Sequence, residues 1–183
     1  MHFTIAHRRI RFRWFVTVLL GGAAILGIND QASARDGESL RIRQDQTTLS
    51  IVAGERTILE YHIAESPRKP YVSALRSPSG VQILRDAPPG HMHHHALMFA
   101  IAADGVNFWE EASQSGNEKH RTLRLLAAAP HEDPEQAGFV QELEWVGPSD
   151  ATVLTEERTV RVCLASDLPA TLLSWRSRLS LPP

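Results

Sequence analysis

The sequence is poor in cysteine and has no cluster of basic residues in the body of the chain. Cys163 is the only cysteine among 183 residues, so an internal disulfide cannot form. It lies in an apolar strand pattern, which is typical of a small buried side chain rather than of a reactive thiol. The 19 lysines and arginines are balanced by 21 acidic residues, giving a formal charge of -2. A nucleic-acid partner is therefore not predicted.

A long apolar run is also missing. The longest one, Trp14 to Ile28, is shorter than the ~20 residues of a transmembrane helix. It follows a basic segment and precedes small residues that end at Ala34, which is the order of a secretory signal. Residues 1–34 are thus predicted to be a cleaved signal peptide, with an uncleaved membrane anchor as the alternative. The mature part, residues 35–183, is then exported to the periplasm or the extracellular space and has no stable membrane span.

Helical periodicity is absent as well, because no amphipathic helix of normal length is visible in the sequence. From Leu40 onward, apolar and polar residues alternate in short runs that glycines and prolines interrupt. The clearest hairpin joins residues 139–146 to residues 153–164. Residues 94–102 carry apolar side chains on both faces, which predicts a central strand of a packed sheet. We expect an all-β domain with antiparallel strands, arranged as a sandwich.

The hairpin carries charged residues and a tryptophan in alternation. Glu142 and Glu144 on its first arm could form pairs with Arg158 and Arg161 on its second arm. At a protein surface such pairs contribute ~0–1 kcal/mol and carry no information on function. Trp145 lies on the apolar face of the first arm and is predicted to be a core residue.

Residues that could carry chemistry are concentrated between Arg85 and Glu111. Four histidines fall within five residues after a Pro-Pro-Gly turn, and they are His91, His93, His94 and His95. Imidazole binds transition metals and exchanges protons near neutral pH. A metal site would need a further ligand, for which His120, Glu110 or Glu111 is available, but the spacing matches no strict zinc signature. Contact with a polar substrate such as a sugar, without metal, and a merely histidine-rich loop are the alternatives.

Two further pairs of residues flank the histidines. Glu110 follows Trp109, and a carboxylate beside an aromatic wall can act as an acid or a base. The face of Trp109 could stack on a sugar ring, whereas the alternative is a core tryptophan beside a solvated acid. Arg85 and Asp86, just before the turn, could be a loop-fixing ion pair or could contact the substrate.

Several short motifs together resemble one family. They are Pro70-Tyr71-Val72, Leu75-Arg76-Ser77-Pro78-Ser79-Gly80, Arg85-Asp86, Pro88, His91, His93-His94, Leu97, Phe99-Ala100, Gly105, Phe108-Trp109-Glu110, Glu142-Leu143-Glu144-Trp145 and Trp175-Arg176-Ser177. Over about residues 70–179 this pattern resembles exported bacterial proteins labelled "PmoA family protein" or "methane oxygenase PmoA", which are common beside sugar-oxidoreductase and glycan-degradation genes. The His-x-His-His core of that family maps onto His91, His93 and His94. His95 lies outside the motif, and Ala96 stands where the family usually has glycine.

The resemblance implies a secreted β-sandwich, similar to the galactose-mutarotase supersandwich, that binds or acts on carbohydrate. The residues it implicates are His91, His93, His94 and Glu110 as catalytic groups and Arg85, Asp86 and Trp109 as substrate-binding groups. Family members continue well past the Trp175 segment, so residues 35–183 would be the N-terminal part of an incomplete domain, with its activity in question.

Two hypotheses remain beside the carbohydrate one. The family label implies a metal-binding oxygenase-like protein, although membrane-bound methane monooxygenase needs several transmembrane helices. The other hypothesis is a non-catalytic extracellular binding module. No residue is assigned as a metal ligand, and the cofactor, the oligomeric state and whether the chain is an enzyme are left open.

Overall fold

The computed structural model describes residues 39–64, 68–126, 136–165 and 168–182. The signal peptide predicted for residues 1–34 lies outside these ranges. Regular structure within them consists of β-strands alone. No helix of the described part is long and apolar enough to cross a membrane.

The first sheet is antiparallel and follows the chain order. Its strands are β1 (Leu40–Gln44), β2 (Thr48–Ala53), β3 (Arg56–His62) and β4 (Tyr71–Leu75). The turn between β1 and β2 forms around Asp45, whose carboxylate accepts the backbone N–H groups of Thr47 and Thr48 at 2.8 Å. The hydroxyl of Thr48 and these N–H groups lower the pKa of Asp45 to about 2. Gly54, with a φ of 56°, allows the tight turn between β2 and β3.

The second sheet is also antiparallel and contains the longer strands. Two short strands, β5 (Ala102–Ala103) and β6 (Val106–Asn107), form a separate ribbon before it. The sheet itself has the order β10-β9-β8-β7, and its strands are β7 (Asn117–Leu126), β8 (Gln136–Val146), β9 (Thr152–Leu164) and β10 (Thr171–Ser180). The hairpin predicted from alternation is β8 and β9, paired along their full length.

The two four-stranded sheets share one hydrophobic core. Alternate residues of β2 and β3 in the first sheet, among them Leu49, Ile51 and Tyr61, pack with residues of β8 and β9. The rings of Tyr61 and Phe139 lie 4.6 Å apart between their centroids, which joins β3 to β8. This arrangement confirms the predicted all-β antiparallel sandwich. The likeness to a supersandwich and the missing strands stay predictions.

A smaller cluster lies under the segment that carries the histidines. Phe108, Leu143 and Trp145 are buried in it, and Phe99 and Ile101 pack against it. The rings of Phe108 and Trp145 are 4.9 Å apart, so the ribbon that precedes Trp109 rests on β8. Trp145 is a core residue, as predicted.

Gly116 approaches Phe108 so closely that a Cβ atom there would overlap the ring. Because Phe108 is itself packed against Trp145, Gly116→Ala is expected to lower the free energy of unfolding by about 1–3 kcal/mol through overpacking. Urea unfolding measures this. Gly147→Ala is the control, since its Cβ would meet neighbours at 3.4 Å or more and the substitution should be nearly neutral. Equal midpoints for the two variants would contradict the expectation.

Arg158 lies fully buried between the two sheets. Its guanidinium donates to the two carboxylate oxygens of Glu156, each at 2.8 Å, and to Glu118 Oε2 at 2.7 Å. It also donates to the hydroxyl of Tyr61 at 3.1 Å and to the carbonyl of Pro70 at 3.0 Å. One side chain of β9 thus bonds to β7, to β3 and to the start of β4.

One of the two acids around Arg158, Glu118, is held in its neutral form. Burial raises the pKa of Glu118 to about 8, against the attraction of Arg158. Its Oε1 atom is buried and has no hydrogen-bond partner among the described residues. Burial alone would lower the pKa of Arg158, but Glu156, followed by Tyr61 and Glu118, raises it well above its usual value. At pH 7, Arg158 is therefore charged, and Glu118 is mostly protonated.

The predicted surface pairing of the hairpin is wrong for Arg158, which faces the interior. Glu144 instead forms an ion pair with Arg121, and Glu142 accepts a hydrogen bond from the hydroxyl of Thr122 at 2.8 Å. Both carboxylates therefore pair with β7 rather than with β9. Arg161 is exposed, as a surface residue of this alternation should be.

The strand predicted for residues 94–102 is also wrong. Only Ala102 belongs to a strand, and the rest is irregular apart from a bridge between Leu97 and Val72 at the edge of β4. The reason is local, because the turn uses backbone groups that a ladder would need. His94 N–H donates to the carbonyl of His91 at 3.0 Å, and Ala96 N–H donates to the carboxylate of Asp86 at 3.2 Å. The segment lies against the edge of the first sheet instead of inside a sheet.

Candidate functional site

Residues 85–96 form a compact turn, called the histidine turn below. Its bend is set by Pro88-Pro89-Gly90, in which Gly90 has a φ of 82° that favours glycine. The N–H of His91 donates to the carbonyl of Pro88 at 2.9 Å, and the N–H of Ala87 closes the turn on the carbonyl of His94 at 3.1 Å. Successive histidines are thereby brought to one place instead of alternating along a strand.

Five of the predicted site residues meet at the surface beside this turn. This histidine–tryptophan patch consists of His91, His93, His94, Trp109 and Glu110. The ring of His94 stacks on His91 at 4.8 Å, meets the edge of His93 at 4.3 Å and lies 5.5 Å from Trp109. Trp109 is 41% exposed and lies beside the imidazoles at the surface.

The patch combines one carboxylate with imidazoles that repel one another when charged. His93 Nε2 lies 3.6 Å from Glu110 Oε2, within ion-pair distance when the imidazole is protonated. Desolvation, followed by the neighbouring His93 and His91, lowers the pKa of His94. The charged form of His94 is thus disfavoured in the cluster. Asn107 fixes the backbone here by accepting the N–H groups of Trp109 and Glu110 at 2.8 and 3.3 Å.

A second group of polar side chains lies directly beneath. This polar layer consists of Lys69, Tyr71, Asp86, His95 and Glu111. His95 Nδ1 is 3.0 Å from Asp86 Oδ1, and its Nε2 is 3.1 Å from Glu111 Oε1. Lys69, only 1% exposed, donates to the same oxygen of Glu111 at 3.0 Å. Tyr71 donates its hydroxyl to Asp86 Oδ2 at 3.2 Å.

The sequence pattern left His95 outside the motif and gave it no role. The structure places it in the polar layer, between two carboxylates. It is buried, and its ring lies 4.2 Å from that of Tyr71, which in turn stacks on His62 at 4.7 Å. Burial, followed by the charge of Asp86, raises the pKa of Tyr71, so its hydroxyl stays a donor. The sequence signal that could have pointed to this layer is the basic pair Arg68-Lys69 between two prolines, directly before Tyr71.

The remaining predicted site residues lie outside the patch. Asp86 belongs to the polar layer and fixes the turn, but it does so through His95 and Tyr71. Arg85 is exposed and has no ion pair or hydrogen bond within the described ranges, so the predicted pairing of Arg85 with Asp86 is not formed. The role of Arg85 as a binding group stays a prediction.

A metal site was one hypothesis for the histidines. Among the residues that the structure describes, no group of three or more histidine, cysteine, aspartate or glutamate side chains is placed to hold a metal ion. His120, considered as a further ligand, accepts a hydrogen bond from Gln141 Nε2 at 3.0 Å through its Nδ1 atom. Gln141 in turn accepts from the hydroxyl of Tyr61. His120 thus belongs to the interior network.

Comparison with known families gives one match. A family model described as a family of unknown function (DUF6807) matches residues 48–182. This range contains both four-stranded sheets apart from β1, together with the whole histidine–tryptophan patch and the polar layer. No curated protein and no solved structure matches the chain.

Proposed function

We propose that this chain, which belongs to the DUF6807 family of unknown function, binds carbohydrate at the histidine–tryptophan patch. The observation that carries the proposal is the partly exposed Trp109 beside three imidazoles and a carboxylate. The predicted secretory signal places such binding outside the cytoplasm, in the periplasm or beyond the cell. The resemblance to the exported PmoA-labelled proteins supports the same ligand class.

The chemistry of the patch suits a sugar ring. An indole offers a flat apolar face of the size of a pyranose, and contact with it removes apolar surface from water. A neutral imidazole such as His94 has one donor and one acceptor nitrogen, so it can pair with a hydroxyl in either sense. The carboxylate of Glu110 adds two acceptor oxygens for further hydroxyls. Aromatic platform and polar rim together are the two requirements of sugar recognition.

Acid–base chemistry on the same ligand is the second candidate function. It is favoured by the 3.6 Å distance between His93 Nε2 and Glu110 Oε2, which lets both groups reach one sugar hydroxyl. A positioned acid or base contributes about 10²–10⁴-fold to a rate. Under this hypothesis His93→Ala lowers the turnover rate by about 10²–10⁴-fold, whereas a pure binding module turns over nothing.

Trp109→Ala is expected to weaken oligosaccharide binding about tenfold, because the stacking face is removed. His93→Ala is expected to weaken it as well, through lost hydrogen bonds. Titration calorimetry or ligand-observed NMR with a panel of oligosaccharides measures both effects. Met92→Ala is the matched control, since Met92 lies in the same turn, is 65% exposed and belongs to neither group. Unchanged affinity in both patch variants, or an equal loss in the control, would refute the assignment.

A further inference from the structure

His95 has both ring nitrogens against carboxylate oxygens, at 3.0 Å from Asp86 and 3.1 Å from Glu111. We infer that His95 is held as the doubly protonated imidazolium and is a positioning residue of the patch, which fixes Trp109 relative to the histidine turn. Nothing in the proposed function assigns a role to this residue, whose side chain is only 7% exposed and does not reach a ligand.

The protonation state follows from the partners of the two carboxylate oxygens. Glu111 Oε1 already accepts a hydrogen bond from Lys69, and Asp86 Oδ1 already accepts the N–H of Ala96. Both oxygens therefore act as acceptors, and neither carries a proton toward the ring. A neutral imidazole has a single N–H, so one of its nitrogens would face an oxygen with no hydrogen between them. Two donated bonds require both nitrogens of His95 to be protonated.

The positioning role follows from the path of these bonds. Asp86 lies at the start of the histidine turn, and His95 carries the contact from it to Glu111. Lys69 links Glu111 to the backbone of Trp109, because its ammonium donates both to Glu111 and, at 3.0 Å, to the carbonyl of Trp109. The turn and the exposed indole are thus joined by four consecutive charged side chains.

The charges along this path alternate and cancel. Asp86 and Glu111 are the two anions, and His95 and Lys69 the two cations. Tyr71 adds a neutral hydroxyl on the far side of Asp86 and lies beside the ring of His95. The members differ in exposure, since the side chains of Lys69 and His95 are 1% and 7% exposed, whereas those of Glu111 and Asp86 are 20% and 33% exposed. Loss of the His95 charge removes the link between Asp86 and Glu111. The segment from Trp109 to Glu111 would then stay attached to Lys69 but would no longer be tied to Asp86.

The protonation state can be measured on the unmodified protein. Long-range ¹H–¹⁵N NMR spectra of the imidazoles at pH 7 are expected to show both nitrogens of His95 as protonated. His94 serves as the internal reference, because its lowered pKa predicts a neutral ring in the same spectrum. A neutral-tautomer pattern for His95 would overturn the inference. This measurement needs no variant and does not depend on a ligand.

The positioning role is tested with His95→Gln, whose amide carries its N–H donors on one terminal atom only. The amide oxygen would therefore face the second carboxylate, where the imidazolium has a donor nitrogen. We expect the indole N–H signal of Trp109, identified by its loss in Trp109→Phe, to shift while those of Trp145 and Trp175 stay in place. Met92→Ala should move none of them. An unmoved Trp109 signal in the folded variant, or equal movement of all three, would contradict the role.

The effect on ligand affinity rests on the proposed function. If oligosaccharides bind the patch, His95→Gln should weaken that binding about tenfold without touching the ligand. If the wild-type protein binds no oligosaccharide while the NMR results hold, the proposed function is wrong and the positioning role stands. If sugars bind and His95→Gln leaves both the affinity and the Trp109 signal unchanged, the positioning role is wrong and the binding proposal stands.

Discussion

Replacing Arg158 with methionine is expected to lower the free energy of unfolding by about 3–5 kcal/mol, since it breaks a buried ion pair from one side. Glu156 would then have only Trp145 Nε1, at 2.9 Å, and the hydroxyl of Ser177, at 2.5 Å, as hydrogen-bond donors. The carbonyl of Pro70 would lose the donor that it has in the guanidinium. Methionine fills much of the space, so the loss reports on charge and hydrogen bonding rather than on a cavity.

Urea unfolding at pH 7, followed by circular dichroism, measures this loss. Arg161→Met is the matched control, because Arg161 lies three residues further along β9 and is exposed. Surface substitutions of this kind usually change stability by less than about 0.5 kcal/mol. Similar unfolding midpoints for the two variants would show that Arg158 does not hold the interior together.

The second large effect is a dependence of stability on pH that originates in Glu118. Its pKa is raised from an ordinary 4.5 to about 8 in the folded protein. Between these two pH values the folded state holds a proton that the unfolded state has released. Stability from this group is therefore fully present below pH 4.5 and is lost as the pH rises through 8. The loss is on the order of 5 kcal/mol for a shift of this size.

Glu118→Gln keeps the shape of the protonated acid but does not titrate. The difference in unfolding free energy between wild type and this variant is expected to grow in favour of the variant between pH 5 and pH 8.5. Urea unfolding at several pH values measures the difference, and the comparison cancels the contributions of the histidines. Glu142→Gln, an exposed acid on β8, should leave the wild-type pH dependence intact. A difference in unfolding free energy that stays constant with pH would show that the pKa of Glu118 is not raised in the folded protein.

Alternation of apolar and polar residues predicted the strands of the second sheet because their outer face is solvated. The same rule placed Arg158 at the surface, since it treats every charged residue as exposed. One partner, Glu156, stands two residues before Arg158 on the same face of β9, and this was the one local trace of the buried pair. The other partners come from distant parts of the chain, 40 residues away at Glu118 and 97 at Tyr61, and leave no local trace in the sequence.

The site was predictable to the extent that it is local. His91, His93, His94, Trp109 and Glu110 stand close in sequence, and their chemistry pointed to one place before the turn was known. His95 was missed because its role depends on Asp86, Glu111 and Lys69, which belong to three separate segments. The strand expected over residues 94–102 failed for a related reason, since its apolar pattern carries no information on the hydrogen bonds that the turn makes with itself.

Residues 68–71 touch both the interior and the site. The carbonyl of Arg68 accepts the N–H of Glu118 at 2.9 Å, and that of Pro70 accepts from Arg158. The side chains of Lys69 and Tyr71, by contrast, bond to the polar layer. Neighbouring residues of one short segment thus couple the inter-sheet network to the polar layer. We expect the sandwich and the polar layer to unfold together, and any ligand that binds only the folded state would stabilise both by linkage.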